Sequence, residues 1–258
     1  MTELLLQTQD ARGVVTLVLN DAARFNALGS DMLQALQEAL DKIAMDDSVR
    51  AVVLAAHGKA FCAGHNLKDM AAHPELSYYQ ELFTQCSRMM LSIARLPVPV
   101  IARVHGMATA AGCQLVAQCD LAVASTEASF ATSGINYGLF CATPSVPLVR
   151  NVPFKQAMEM LLTGDFIDAH TAQAQGLVNR VVAPHALDAS LEQLVSSIVQ
   201  KPATAVRMGK ALLYRQREMG LEAAYLLAGE SMACNMMDAD AQEGAQAFAQ
   251  KRQPQWRG

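Results

Sequence analysis

Apolar positions recur along this chain first at a strand period and then at a helical one. Leu4–Gln9 and Val14–Leu19 read as strands on either side of an Asp10-Ala11-Arg12-Gly13 turn, which predicts a hairpin. Leu33, Leu36, Leu40 and Ile43 then fall on one helical face, predicting a helix from Asp31 to about Met45 with Ser30 as its N-cap. The short apolar run Ala51–Ala56 reads as a buried strand, and Pro74 interrupts the segment after it. A second helix is predicted from about Ser77 to Arg95, with Phe83, Cys86, Met90 and Ile93 on one face. Val98–Val104, introduced by Pro97 and Pro99, is the next strand; a Gly/Ala-rich turn, His105–Gly112, leads into a short helix ending near Gln118, and Leu121–Ala124 is again a strand. Strand, small-residue turn, helix and strand thus recur without a strict sequence repeat, which implies an α/β architecture and not a solenoid of identical units. From about Leu187 the strand signals disappear, and Leu191–Val199, Ala203–Met219, Leu221–Met236 and Ala241–Lys251 read as helices. The expected division is a core over 1–190 and a helical region over 191–258.

Composition sharpens this picture. With 52% hydrophobic and 17% charged residues over 258 positions, the chain has enough apolar material for a sizeable core. A net charge of −4 and a pI near 5.9 argue against a chain-wide grip on nucleic acid. No apolar run is long enough to cross a bilayer, and Met1-Thr2-Glu3 leads into a strand with no basic n-region or transit-peptide pattern, so a cytoplasmic location is expected. Cys62, Cys86, Cys113, Cys119, Cys141 and Cys234 form no CxxC pair and no zinc-like spacing with the histidines, so free thiols are expected and no metal or redox cofactor is implied. The last residues, Lys251 to Gly258, are basic and hold the sole tryptophan, Trp256. They read either as a solvated helix end or as a contact to a phosphate or partner chain.

Two segments carry candidate chemistry. Lys59-Ala60-Phe61-Cys62-Ala63-Gly64-His65-Asn66-Leu67-Lys68 and His105-Gly106-Met107-Ala108-Thr109-Ala110-Ala111-Gly112-Cys113-Gln114 each follow a strand and open a helix. Small residues let a ligand approach the backbone, and helix N-termini present unpaired N–H donors. Side by side, two such turns can aim two N–H groups at one oxygen and stabilise an enolate or tetrahedral oxyanion, typically by about 3 kcal/mol per donor. By spacing alone they are equally two ordinary tight turns.

The chain resembles the enoyl-CoA hydratase/isomerase family, the crotonase superfamily, over nearly its whole length. Arg24-Phe25-Asn26-Ala27-Leu28 resembles that family's first turn, and Ala60–Lys68 its F-x-A-G-x-D-[IL]-K loop. His105–Asp120 resembles its G-x-A-x-G-G-G-x-E-L-x-x-x-C-D segment. Leu162-Thr163-Gly164, Ala169 and Gly176–Val182 resemble its TG…A…GLVN-x-VV stretch, and Glu243-Gly244 with Phe248, Lys251, Arg252 and Pro254 its ending. The resemblance implies a crotonase-like spiral of β-β-α units with a helical C-terminal oligomerisation region. It implies an acyl-CoA substrate, coenzyme A being part of that substrate, and a homotrimer or pair of trimers. The backbone N–H groups of His65 and Ala111 would form the oxyanion hole. Ala63, His65, Asn66, Leu67 and Lys68 would line the adenine and pantetheine channel, with Arg24 and Lys68 near the CoA phosphates. Phe248 and Lys251 would complete the CoA site, in the family often that of a neighbouring subunit.

The departures bear on the reaction. The two family glutamates align with Gln114 and Gly134, and the glycine triplet reads Ala110-Ala111-Gly112. A glutamine amide orients a water but does not act as a base near pH 7, and glycine has no side chain. His65 is a candidate replacement base, whereas Glu127 and Asp69 read as surface carboxylates and Tyr137, Cys141 and Cys113 as packing. Phe130, Tyr137 and Phe140 are candidates to wall an acyl pocket. Three functions are expected in turn. The nominal one is hydration of a 2-enoyl-CoA with Gln114 positioning water. The second is decarboxylation of a malonyl-type thioester, which needs no glutamate base. The third is acyl-CoA binding without turnover.

Overall fold

The computed structural model describes residues 3–257 and opens with β1 (Leu5–Gln9) and β2 (Val14–Leu19), paired antiparallel with Leu5 opposite Leu19 and Gln9 opposite Val15. Met1, Thr2 and Gly258 lie outside the described residues. Gly13 closes the hairpin at φ +79°, where a β-carbon would stand 2.1 Å from the Ser48 carbonyl oxygen. α1 (Ser30–Ala44) buries the expected stripe of Leu33, Leu36, Leu40 and Ile43, and Met32 beside it. Its cap is Gly29; Ser30 is instead the first helical residue, and no side chain caps this end.

Three successive passes of the chain then repeat one plan: a strand in a first sheet, a short strand in a second sheet, and helix. β3 (Ala51–Ala56), β4 (Ala60–Cys62), α2 (Leu67–Ala72) and α3 (Leu76–Arg95) form one pass. β5 (Val100–Val104), β6 (Met107–Thr109) and α4 (Ala111–Gln118) form the next. β7 (Leu121–Ser125) and β8 (Ser129–Ala131) lead through a 3-10 turn at Ser133–Tyr137 into α5 (Ala142–Asn151) and α6 (Phe154–Thr163). β9 (Ile167–Asp168), α7 (Ala169–Ala174) and β10 (Arg180–Val182) close the spiral. The first sheet has the order β1-β2-β3-β5-β7-β10 and the second β4-β6-β8-β9. Every residue of β3 is buried and both its neighbours run parallel to it, which is why Ala51–Ala56 lacks alternation.

Phe61 of β4 and Phe130 of β8 are among the largest side chains wholly removed from solvent. Each contributes roughly 2–3 kcal/mol of burial at the centre of the layer between the sheets. On the other face of the first sheet, α8 (Leu187–Val199) lays Leu187, Leu191 and Val195 against Val14, Val53, Ile101 and Val123. α9 (Ala203–Gln216) is pinned by one buried cation. Lys210 Nζ donates to the Ile93 and Val98 carbonyls, both at 2.9 Å, and to Asp120 Oδ2 at 2.6 Å. Tyr214 Oη donates to Asp120 Oδ1 at 2.9 Å, so both carboxylate oxygens are occupied.

α10 (Leu221–Met236) buries only Ala224 and exposes Leu221, Tyr225, Leu226, Met232 and Met236. After α11 (Ala239–Ala249) the tail folds back on its own helix. Arg252 is held by Glu243, the Arg257 N–H donates to Asp240 Oδ1 at 2.8 Å, and the Trp256 ring covers Gly244. The tail is thus not a freely solvated end: it is folded back on α11, with Arg252 paired to Glu243 and Lys251 exposed.

Candidate functional site

The two candidate turns are built against each other by their glycines. Gly64 sits at φ +86°, and a β-carbon there would lie 2.9 Å from both Ala110 Cβ and Ala111 N. At Gly112 a β-carbon would stand 2.0 Å from the Cys62 carbonyl oxygen. Such distances exclude any side chain, so both glycines are required by the close approach of two backbones.

A third segment clamps the first turn. Phe25 and Asn26 take left-handed conformations, φ 53° and 54°. The wholly buried Asn26 donates from Nδ2 to the His57 and Ala60 carbonyls, at 2.8 and 2.9 Å, and accepts the Asp21 N–H on Oδ1 at 2.9 Å. The Ala63 N–H donates to Phe25 O at 3.0 Å and the Leu28 N–H to Gly64 O at 2.8 Å. The Arg24–Leu28 segment is therefore the scaffold of the Ala63–His65 turn.

Between these supports, the N–H groups of His65 and Ala111 have no acceptor among the described residues. Ala111 is the first residue of α4, so its N–H sits at the positive end of that helix. The structure thus brings together the two backbone donors expected from the sequence.

The side chains around them are uncharged. Gln114, one turn into α4, is only 4% exposed, and its Oε1 has no partner. The His65 ring leans edge-on against Phe83, centroids 5.3 Å apart, with Nε2 buried and unpartnered. Burial lowers the His65 pKa to about 4, so the imidazole is neutral at pH 7. Gly134 is sealed by its neighbours. Its carbonyl accepts the Leu139 N–H at 3.1 Å, and a β-carbon would meet Leu139 O at 2.7 Å and Cys141 Sγ at 2.8 Å. A carboxylate cannot be seated there without moving the 139–141 backbone. Burial pushes the Cys62 and Cys113 thiols up to about 12 and raises that of Cys141, so none is an activated nucleophile.

Asn66 caps α2, its Oδ1 accepting the Lys68 N–H at 3.1 Å; Ala63 is half-buried, while Leu67 and Lys68 are exposed. Arg24 is ion-paired to Asp21 at 2.7 Å and borders a cleft of about 170 Å³ shared with Ser30, Asn66, Asp69 and Tyr78. Asp69, expected on the surface, thus lines this cleft. Phe248 is 87% exposed near the end of α11 and Lys251 is exposed just beyond it. Of the expected pocket aromatics, Phe130 is consumed by the core, whereas Tyr137 and Phe140 are exposed. The sequence reading missed Thr109 and Ser133, whose hydroxyls meet at 2.7 Å and tie the Ala110 turn to the segment carrying Gly134. Lone hydroxyls in small-residue runs carry no spacing signal that would have marked them.

Comparison with known proteins identifies the family. The sequence profile of the enoyl-CoA hydratase/isomerase family matches residues 9–258. The mitochondrial enoyl-CoA hydratase domain-containing protein 3 of Xenopus laevis is 45% identical over 248 residues, covering 96% of this chain and 84% of that protein. A crystal structure of an enoyl-CoA hydratase from Mycobacterium smegmatis superposes with a TM-score of 0.99 at 63% identity, each chain fully covered. The crystal structure of human enoyl coenzyme A hydratase domain-containing protein 3 superposes with a TM-score of 0.95 at 41% identity, covering 98% of this chain and 100% of that one. A family profile spanning nearly the whole chain, and the shared fold, place this protein in the enoyl-CoA hydratase/isomerase family.

Proposed function

We propose that this protein binds an acyl thioester of coenzyme A and stabilises its enolate through the backbone N–H groups of His65 and Ala111. The observation that carries this reading is the pair of unsatisfied donors on two interlocked turns. A thioester oxygen gains negative charge as the enolate forms, and fixed donors stabilise that charge more than the ground-state carbonyl. In this reading Ala63, Asn66, Leu67, Lys68 and Arg24 line the path of the CoA moiety.

Two reactions run through such an enolate, and a different observation favours each. Hydration of a 2-enoyl-CoA is favoured by the names of the relatives. Gln114 then orients the water, and the proton reaches the α-carbon through solvent. Decarboxylation of a malonyl-type CoA is favoured by the side chains. Breaking the carbon–carbon bond to the carboxylate leaves its electron pair as the enolate and releases CO₂, so no base is needed, and water then protonates the α-carbon. Neutral His65, neutral Gln114 and sealed Gly134 suit that route.

The assembly belongs to the same proposal. A helix that buries only Ala224 and exposes an apolar surface is soluble when another chain covers it, so α9–α11 are assigned to the contacts of a homotrimer or pair of trimers. Phe248 and Lys251 then reach a neighbour's CoA site. The division expected at residue 190 falls inside α8, which packs on the first sheet, so the assembly region is assigned from α9 onward. The working location is cytoplasmic; no helix among the described residues is long and apolar enough to cross a membrane.

The test is a mass-spectrometric screen of enoyl-, 3-hydroxyacyl- and malonyl-type CoA esters, with calorimetry for binding and light scattering for mass. A gain of one water identifies a hydratase and a loss of CO₂ a decarboxylase. Binding without a change in mass leaves an acyl-CoA binder. No binding of any ester ends the CoA reading, and a monomer in solution ends the assignment of α9–α11.

A further inference from the structure

One residue of the oxyanion turn is held against its own conformational preference. Ala110 sits at φ 51°, ψ −120°, a region that L-residues rarely enter and that glycine enters freely. The surroundings over-determine it. Its N–H donates to the Ala131 carbonyl at 3.0 Å and its carbonyl accepts the Gln114 N–H at 3.0 Å. One residue back, the Thr109 and Ser133 hydroxyls bond at 2.7 Å. Glycine would satisfy every one of these bonds without strain, so the methyl is the part of Ala110 that calls for a reason.

Ala110 is partly buried and packs at the edge of the main core, which leaves part of it open. Its methyl stands against Gly64, so that a β-carbon on Gly64 would lie 2.9 Å from it and 2.9 Å from Ala111 N. It therefore occupies the seam between the turns that present the two free N–H groups.

We propose that Ala110 is a specificity-determining residue: its methyl narrows the site beside the acyl α-carbon and restricts the substrate to thioesters unbranched at that carbon. The inference rests on the CoA-thioester reading above. With the thioester oxygen between the two N–H groups, the α-carbon is attached to the same carbonyl carbon and lies within van der Waals reach of the seam. A second substituent there meets the Ala110 methyl, while the same carbon placed at the chain end does not.

Butyryl-CoA and isobutyryl-CoA have the same atoms and differ only in α-branching, so their affinity ratio cancels general hydrophobicity. Calorimetry with wild type is expected to favour butyryl-CoA by about tenfold or more, the usual discrimination from one misplaced methyl group. In Ala110→Gly the ratio is expected to fall within about threefold, and the thermal midpoint to rise because the strained conformation becomes a relaxed one. Equal affinities in wild type, or an undiminished ratio in the variant, would overturn the proposal while leaving the CoA reading intact. A lowered midpoint in Ala110→Gly would overturn the strain argument beneath it. If neither ester binds either protein, the CoA reading fails and this inference falls with it.

Discussion

The two sides of the candidate site are made of different material. On the donor side, His65 and Ala111 contribute backbone N–H groups that any residue except proline supplies, held by Gly64, Gly112 and the Asn26 clamp. On the side proposed to face the acyl chain, Gln114, Gly134 and Cys141 bring no charged or activated group. A backbone site is as durable as the fold that holds it, because removing it means remaking the packing. A side-chain site is lost by single substitutions that leave the packing in place. The two glycines of the interlock match the family resemblance, whereas the departures are at the two glutamate positions and at Ala110 and Ala111 of the glycine triplet.

The comparison breaks first at Gly112. A β-carbon added there would overlap the Cys62 carbonyl at 2.0 Å, a backbone atom of a buried strand that has nowhere to go. Gly112→Ala is expected to destabilise the protein by about 4 kcal/mol or more, an exceptional value for one methyl group. Chemical denaturation measures this directly, and a loss below about 1 kcal/mol would show that the two turns are not rigidly interlocked.

The next largest effect is a pH dependence at the point where the two sides meet. The His65 pKa is lowered by burial from 6.5 to about 4. Between those values the unfolded chain takes up a proton that the folded chain refuses, so stability falls as the pH drops through this window. The full shift corresponds to about 3 kcal/mol, present above pH 6.5 and lost by pH 4. His65→Gln removes the linkage, so its denaturation midpoint should decline less than that of wild type between pH 7 and 4. Parallel curves would mean that the imidazole is solvated and that the acyl side is more open than the geometry shows.

Legibility in the sequence divides along similar lines. The long strands and amphipathic helices were readable because β3 and the α1 stripe bury enough consecutive or periodic residues to leave a pattern. The second sheet was not read from periodicity. β4, β6 and β8 each span only three residues, Ala60-Phe61-Cys62, Met107-Ala108-Thr109 and Ser129-Phe130-Ala131, too short for alternation to register. α8 was read from Leu191 although it starts at Leu187, because the Pro184–Ala186 turn runs into it with no capping side chain. The two donor turns were visible as small-residue segments after strands, but their mutual contact depends on a pairing of distant glycines that spacing does not encode. Thr109 and Ser133 meet each other across 24 residues, so local pattern could not reveal them.

Gln114 gives the smallest expected change in stability and the sharpest separation of the two sides. Its amide is buried and Oε1 has no partner, so the folded state carries a desolvated acceptor that a well-shaped apolar side chain would not. Gln114→Met keeps the length of the side chain and removes the orphan. Stability is expected to be unchanged or to rise by up to about 1 kcal/mol. If Gln114 orients a water for hydration, the same variant loses that activity while the donor side continues to bind the ester with near wild-type affinity. A decarboxylase would keep its rate within a fewfold, because the bond-breaking step leans on the N–H groups and not on the amide. A clear loss of stability in Gln114→Met would mean that the amide has a partner in the folded protein. The acyl side would then be as structurally committed as the donor side, and the distinction between the two would have to be abandoned.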